Sequence, residues 1–373
     1  MISACPTPTS PTSTSPASTS PTPTRGSTRS AVGAPRRRLG LLAAAAVLAA
    51  PLTASVAPAA ADPVPGGPWN CGEAVPLSGL LSNEELQQRL TSLAERRDAL
   101  DLDVVGESLD GRPLYSAVVG DGPRTLAILT QQHGDEPMGT EAVVAFLREI
   151  SADTPQAAAL REAVTVVVVP RINPDGFERY TDEDFRDGID PRRNSADLDL
   201  NRLWGPDADP DPATAPEVAA VEAVLAEHQP DLVVDYHHQV TYRTDEGDMA
   251  TMSVLWSTHP DVDPAVAADG RRAAAVVGAA LERDGHATVT RYPESDTSTT
   301  ARNGLGLDGY PALLIEQRGQ QEAGQKSQGA LVREALTSMQ GLTEALADGS
   351  FDATDPAAAD ALPARGERVD SCE

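Results

Sequence analysis

The sequence predicts one α/β domain, with a mixed, largely parallel sheet and helices on both faces. Three observations predict it. Short apolar runs of strand character alternate with amphipathic helical stretches from about residue 75 to about residue 348. The run Val164–Val169 (VTVVVV) is apolar without a break, which suits a strand covered on both sides. The chain is 373 residues long and 40% hydrophobic, which is enough to bury one large core.

Residues 1–61 stand apart from that domain. They open with Ser, Thr and Pro repeats that cannot bury a core. Arg36, Arg37 and Arg38 follow, then an apolar stretch over 39–56 and the small residues Ala59, Ala60 and Ala61. This is the three-part pattern of a secretory signal peptide, with cleavage after Ala61. Pro51 and the small-residue end argue against a membrane anchor. The paired arginines suggest the twin-arginine route, and an internal start at Val32 would give a leader of ordinary length. The expectation is an exported, extracellular protein.

A short N-terminal segment, 62–80, precedes the domain proper, 81–348. Ser82 and Glu85 form a capping box, with Leu81 and Leu86 as a hydrophobic staple, and predict a helix over 81–100. Strand-like runs follow at 102–105, 114–119 and 125–130, punctuated by glycines. Residues 140–150 read as a helix, and 164–169 as the buried strand. The polar segment 173–211 is too long for a plain connector and reads as a functional loop region. Thr214 and Glu217 predict the cap of a further helix. Strands are expected at 232–236, 252–256 and 312–315, and helices at 264–284 and 331–346. The stretch 349–373 reads as an Ala/Pro/acidic tail.

The formal net charge is −27, and residues 1–61 carry five arginines and no acid, so the remainder is more acidic still. Nucleic acid is therefore a poor partner, as is an anionic membrane. No stable membrane insertion is expected, and the protein is read as a monomer. Cys71 and Cys372 remain after cleavage; in an exported chain an even count suggests a disulfide joining the two ends, with two free thiols as the alternative.

An open α/β sheet places its sites at the carboxyl ends of its strands. Those ends are rich in chemistry. After 125–130 comes QQHGDEPMG, with His133 and Glu136; an imidazole and a carboxylate at that spacing can grip one metal ion, or form a turn with a hydrogen-bonded histidine. After VTVVVVP comes Asn173-Pro174-Asp175-Gly176, and the polar loop closes in RRNSADLDLNRLW, which packs Arg192, Arg193, Asn194, Asp199, Asn201 and Arg202. DLVVDYHHQ ends at His237 and His238, and PALLIEQRG at Glu316 and Arg318.

In that order, together with the lead-in GESLDGRPL, these residues resemble the zinc carboxypeptidase family, the metallocarboxypeptidases of the carboxypeptidase A type, from about Val105 to Gly319. The resemblance implies one Zn²⁺ held by His133, Glu136 and His237, an open catalytic site. It prefers His237 to His238 because the family's ligand is the second residue after the aspartate, here Asp235. It implies that Asp199 hydrogen-bonds the first zinc histidine. It makes Glu316 the base that takes a proton from water and passes it to the leaving amine. Arg192 is the cation for the oxyanion, with Arg193 as its rival. Asn201 and Arg202 match the pair that holds the substrate's terminal carboxylate.

The resemblance thins elsewhere. Asp197 stands where the family usually has glycine. Tyr292 is the candidate for the tyrosine that closes over substrate, with Tyr310 assigned to packing. Arg302 lies where the specificity pocket should form, and could bind a second carboxylate or pair with Asp296. With the leader's export pattern, the resemblance implies an exported zinc-dependent carboxypeptidase that removes a C-terminal residue from a peptide. The alternatives are an amidase cutting γ-glutamyl links in a muropeptide, and a non-catalytic binding module on the same fold.

Overall fold

A computed structural model of the chain describes residues 77–182, 187–285, 287–318 and 328–369. The leader 1–61, most of the segment 62–80, His286, and both members of the expected Cys71–Cys372 pair lie outside these residues. The strands are β1 (Leu100–Glu107), β2 (Pro113–Val119), β3 (Arg124–Thr130), β4 (Val164–Val169), β5 (Leu232–Gln239), β6 (Met252–Trp256), β7 (Val289–Arg291) and β8 (Ala312–Arg318). The helices are α1 (Asn83–Ala94), α2 (Met138–Ile150), α3 (Pro155–Ala163), α4 (Pro174–Thr181), α5 (Pro216–His228), α6 (Pro264–Asp284), α7 (Ala301–Leu307), α8 (Gln328–Asp348) and α9 (Ser350–Ala353).

Among the described residues these eight strands form one sheet, ordered β1-β2-β4-β3-β5-β8-β6-β7. The central strands β4, β3, β5 and β8 run parallel, while β1, β2 and the β6–β8 pair are antiparallel. The strand VTVVVV shows why the sheet is covered twice. Val166 and Val168 join a core cluster with residues of α1, α2, α6 and α8, whereas Val167 and Val169 join a second with α5, α7 and Trp204. Alternating side chains of one strand thus feed two cores. Each valine taken fully from water contributes roughly 1.5–3 kcal/mol.

The Ser82–Glu85 capping box forms as expected, with both reciprocal bonds present. Other elements differ from expectation. The first helix stops at Ala94, and Leu100 already begins β1. Thr214 and Glu217 do not cap α5: its N-cap is Ala215, without a side-chain bond. The Glu217 carboxylate instead accepts from Leu109 N–H and the Asn194 amide, tying three separate segments together. Asn173-Pro174-Asp175-Gly176 is a helix start, with Pro174 at the first position and Asn173 Oδ1 accepting from Gly176 N–H. The tail also holds more structure than its composition suggests: α9, a 3-10 turn over Pro356–Ala361, and a docked strand-like stretch over 363–369. Among the described residues no helix is long and apolar enough to cross a membrane.

Two of the strand-end turns meet backbone to backbone. A Cβ placed on Gly134 would lie 2.0 Å from the carbonyl carbon of Gly176, and one on Gly176 would lie 2.3 Å from Pro191 O. Only glycine allows HGDEP and NPDG to touch in this way. Gly134→Ala is expected to cost about 1–3 kcal/mol by overpacking this contact, measured as a lower urea midpoint for metal-free protein; an alanine variant as stable as the parent would contradict the contact.

Candidate metal centre

His133 and Glu136 lie in the turn between β3 and α2, His237 on β5, and Glu316 on β8. Strands β3, β5 and β8 are neighbours and parallel, so their carboxyl ends converge. The chain leaves β3 for β4 on one side and returns to β5 on the other, a switch in strand order where a crevice opens. His237 and Glu316 are register partners across β5 and β8, so their side chains share a face of the sheet.

His133, Glu136 and His237 are buried, and their candidate ligand atoms lie within 4.8 Å of one another. The Nδ1 atoms of the two imidazoles face inward, 3.1 Å apart. His133 Nδ1 is 2.9 Å from Glu136 Oε1, and His237 Nδ1 is 2.8 Å from Glu136 Oε2. The opposite nitrogens are each held by a carboxylate: His133 Nε2 by Asp199 Oδ1 at 3.0 Å, and His237 Nε2 by Asp235 Oδ2 at 2.7 Å. A carboxylate behind each ring puts the proton on Nε2 and leaves Nδ1 as the donor atom. The set fits one metal ion such as zinc: two neutral imidazoles and a carboxylate, converging and dry.

Charge is distributed accordingly. Burial alone would push Glu136 toward its protonated form, but the two imidazoles hold its carboxyl well below the usual range. Burial also disfavours an imidazolium at His237, yet Asp235 and Glu136 outweigh it and raise the ring. For Asp199, burial is again outweighed, here by the His133 hydrogen bond and by Arg192.

Arg192 and not Arg193 reaches the centre. Its Nε and Nη2 donate to Asp199 Oδ2 at 3.1 and 3.0 Å, which leaves Nη1 beside His133 Nδ1 (3.0 Å) and Glu136 Oε1 (3.5 Å). Arg193 turns outward to Asp197, donating to its carbonyl at 2.7 Å. Asp197 itself has φ of 58°, the left-handed region that glycine occupies without strain, which accounts for the family's usual glycine there. His238 is a neighbour of the centre: its Nε2 accepts from Met138 N–H at the start of α2, and burial lowers its ring to about 4.

His133 and Glu136 line a cleft of about 360 Å³. Asn201, Arg202, Tyr292, Arg302 and Glu316 all line it. Asn201 and Arg202 form a single 3-10 turn, fixed by Asn201 Oδ1 accepting from Ala301 N–H. Tyr292 is not a loose side chain: two guanidinium groups lie near its ring, Arg365 at 4.2 Å and Arg302 at 5.8 Å from the centroid. Arg302 is 4% exposed, and among the described residues it has no ion pair, with Asp296 or any other acid. Tyr310 packs by α5, its hydroxyl 3.2 Å from the Gln229 amide.

Three site features escaped the sequence reading. Asp235 served there only as a register mark, yet it orients His237 and is itself held by Gln132 Nε2 at 2.6 Å, with Trp204 Nε1 donating to Gln132 in turn. Spacing could have found it, since residues two apart on a strand share a face. Asp175 is a buried hub: Ser108 Oγ, Asp110 N–H and Arg112 Nη1 all donate to it, so GESLDGRPL and NPDG meet to build the scaffold. Arg365 enters the cleft from the tail and had no signal at all.

The comparisons with known proteins agree with this geometry. Residues 86–244 match the zinc carboxypeptidase family model. An uncharacterized protein of Zymomonas mobilis is 27% identical over 142 residues, 38% of this chain and 34% of its own length. Carboxypeptidase M of Mus musculus is 29% identical over 199 residues, 48% of this chain and 44% of its length. The chain thus spans less than half the length of these curated relatives. Among solved structures, a metallo-carboxypeptidase from Burkholderia cenocepacia superposes with a TM-score of 0.58 at 20% identity, covering 73% of this chain and 70% of that one. A metallo-carboxypeptidase from Pseudomonas aeruginosa gives 0.55 at 21% identity, covering 69% and 68%. At these identities the structures share the fold.

Asp235→Asn removes the charge that sets the His237 tautomer and should weaken zinc binding by about 10–100-fold. Competition against a chromophoric chelator reads this directly; unchanged affinity would mean that the carboxylate orients nothing.

Proposed function

We propose that this chain, whose residues 86–244 match the zinc carboxypeptidase family model, hydrolyses the C-terminal peptide bond of peptides outside the cell. The observation that carries this reading is Glu316. Its carboxylate is buried at 8% exposure, lines the same cleft as His133 and Glu136, and among the described residues Oε2 has no hydrogen-bond partner. A buried acceptor left open in this way is costly unless a ligand or water meets it.

When bound, zinc lowers the pKa of a water and polarises the carbonyl under attack. The chain's own residues do the rest. Arg202 and Asn201 hold the terminal carboxylate at one end of the cleft, where a guanidinium can take both oxygens. That places the last peptide bond at the triad. Glu316 takes a proton from the attacking water and returns it to the leaving nitrogen. Burial pushes the Glu316 carboxyl up to about 7; His237 opposes this and Glu136 adds to it. A group poised there can both accept and release a proton near neutrality. Arg192, steadied by Asp199, presents Nη1 to the oxygen that gains charge.

Export rests on the leader's pattern of charge, apolar core and small residues. The same leader, with an arginine-lined cleft, also favours the second reading, an amidase acting on peptidoglycan peptides. Incubating zinc-loaded protein with blocked dipeptides and with a muropeptide separates the two: release from the dipeptides supports the carboxypeptidase, and release from the muropeptide alone would replace it. Glu316→Gln should keep its zinc, by metal analysis, and lose about 10²–10⁴-fold in kcat; substantial residual turnover would remove Glu316 from its role.

A further inference from the structure

The cleft has the opposite sign to the protein. The chain carries 56 acidic against 29 basic residues. Yet the acids lining the cleft are Glu136 and Glu316, while Arg192, Arg202, Arg302, Arg365 and Arg368 line it as well. Arg192 is committed to Asp199, and Arg202 is placed for the terminal carboxylate. Of the other three, Arg302 and Arg365 both lie near the Tyr292 ring, 5.8 and 4.2 Å from its centroid.

Arg365 arrives by an unusual route. The segment 363–369 is stitched into the domain by backbone bonds on both edges: Arg291 N–H to Pro363 O, Arg365 N–H to Arg291 O, Gly366 N–H to Arg243 O, and Val369 N–H to Thr241 O. These bonds fix where the side chain points. Its Nη1 donates to Gln239 Oε1 at 2.8 Å, and its guanidinium lies over the rings of Tyr242 (3.9 Å) and Tyr292 (4.2 Å). Among the described residues neither Arg302 nor Arg365 forms an ion pair, and the buried Nε of Arg302 has no hydrogen-bond partner. A buried guanidinium with an open donor is the counterpart of an anionic ligand. Arg302 is such a group, and the half-buried Arg365 guanidinium lies near the same Tyr292 ring, so the two bring positive charge to one part of the cleft beside an aromatic wall.

We propose that segment 363–369 is a wall of the substrate pocket, and that Arg365, acting with Arg302 beside Tyr292, selects peptides whose C-terminal residue carries a second carboxylate, glutamate or aspartate. Arg365 is then a specificity-determining residue supplied by the tail. The proposal rests on the carboxypeptidase reading of the cleft, and deepens it from a reaction to a substrate class.

The test uses the full zinc-loaded chain and two readouts. One is the ratio of kcat/KM for two blocked dipeptides that differ only in a C-terminal glutamate or glutamine. The other is the affinity for free glutamate and free glutamine by calorimetry, which needs no turnover. The parent protein should favour glutamate by about tenfold or more in both, because an arginine pocket leaves its donors unpaired against an amide. Arg365→Gln should bring both ratios toward one. Arg365→Lys, which keeps the charge but loses the planar fork, should fall between and covers the case in which glutamine here impairs folding. Ratios near one in the parent protein, or ratios unmoved in both variants at unchanged melting temperature, would overturn the proposal. Preferential glutamate binding, lost in Arg365→Gln, without hydrolysis of either dipeptide would sink the peptidase reading and leave the arginine pocket standing.

Discussion

The metal centre depends on a carboxylate behind each imidazole. Without Asp199 and Asp235, the two rings could rotate or change tautomer, and their inward nitrogens would no longer converge on Glu136. Asp199 does this twice over, holding His133 with one oxygen and Arg192 with the other. One side chain therefore fixes both a ligand and the cation that stands beside it. Its position comes from the loop 194–199, which Asn194 folds by accepting from Ala196 and Leu198 N–H. The loop is held to helix α5 through Asn194 and Glu217, and Glu217 reaches on to Leu109 in the β1–β2 turn.

Much of the rest can be read as a frame for these two aspartates. The parallel strands β3, β5 and β8 bring three sequence-distant turns to one edge. The glycine contact between the His133 turn and the start of α4 sets their separation, and Asp175 gathers the β1–β2 turn beneath them. Strain gathers in the same place: Gln131 (φ 58°), Arg171 (φ 48°) and Asp197 (φ 58°) hold left-handed backbone with ordinary side chains, each within a few residues of the centre's motifs. Arg171 is anchored by bonds to Gln131, Asn83 and the carbonyl of Leu81, and by the face of Phe177.

The centre was legible in the sequence because each of its members closes a strong apolar run. His133 and Glu136 follow a strand, and His237 and Glu316 end the apolar runs of theirs, runs that periodicity and β-branching reveal; the structure brings the strand ends together. Arg192 and Asp199 were legible through the resemblance, and geometry separates Arg192 from Arg193 by what Arg193 does elsewhere, on Asp197. Helix α4 was missed although Asn-Pro-Asp is a helix start, because its eight residues are too few for periodicity to declare. The docking of 363–369 had no local sign: it rests on backbone hydrogen bonds, which carry no side-chain signature, and an Ala, Pro and charge-rich composition reads as a linker.

The inverted sign of the cleft has a kinetic meaning. The anionic peptide proposed as substrate would meet a repulsive field far from the protein and an attractive one only inside the cleft. The two act over different distances: the outer field is screened within a Debye length of about 8–10 Å at moderate salt, while contacts inside the walls are screened far less. Added salt therefore speeds the approach before it loosens the bound state, so the surface acts as a filter that ionic strength opens.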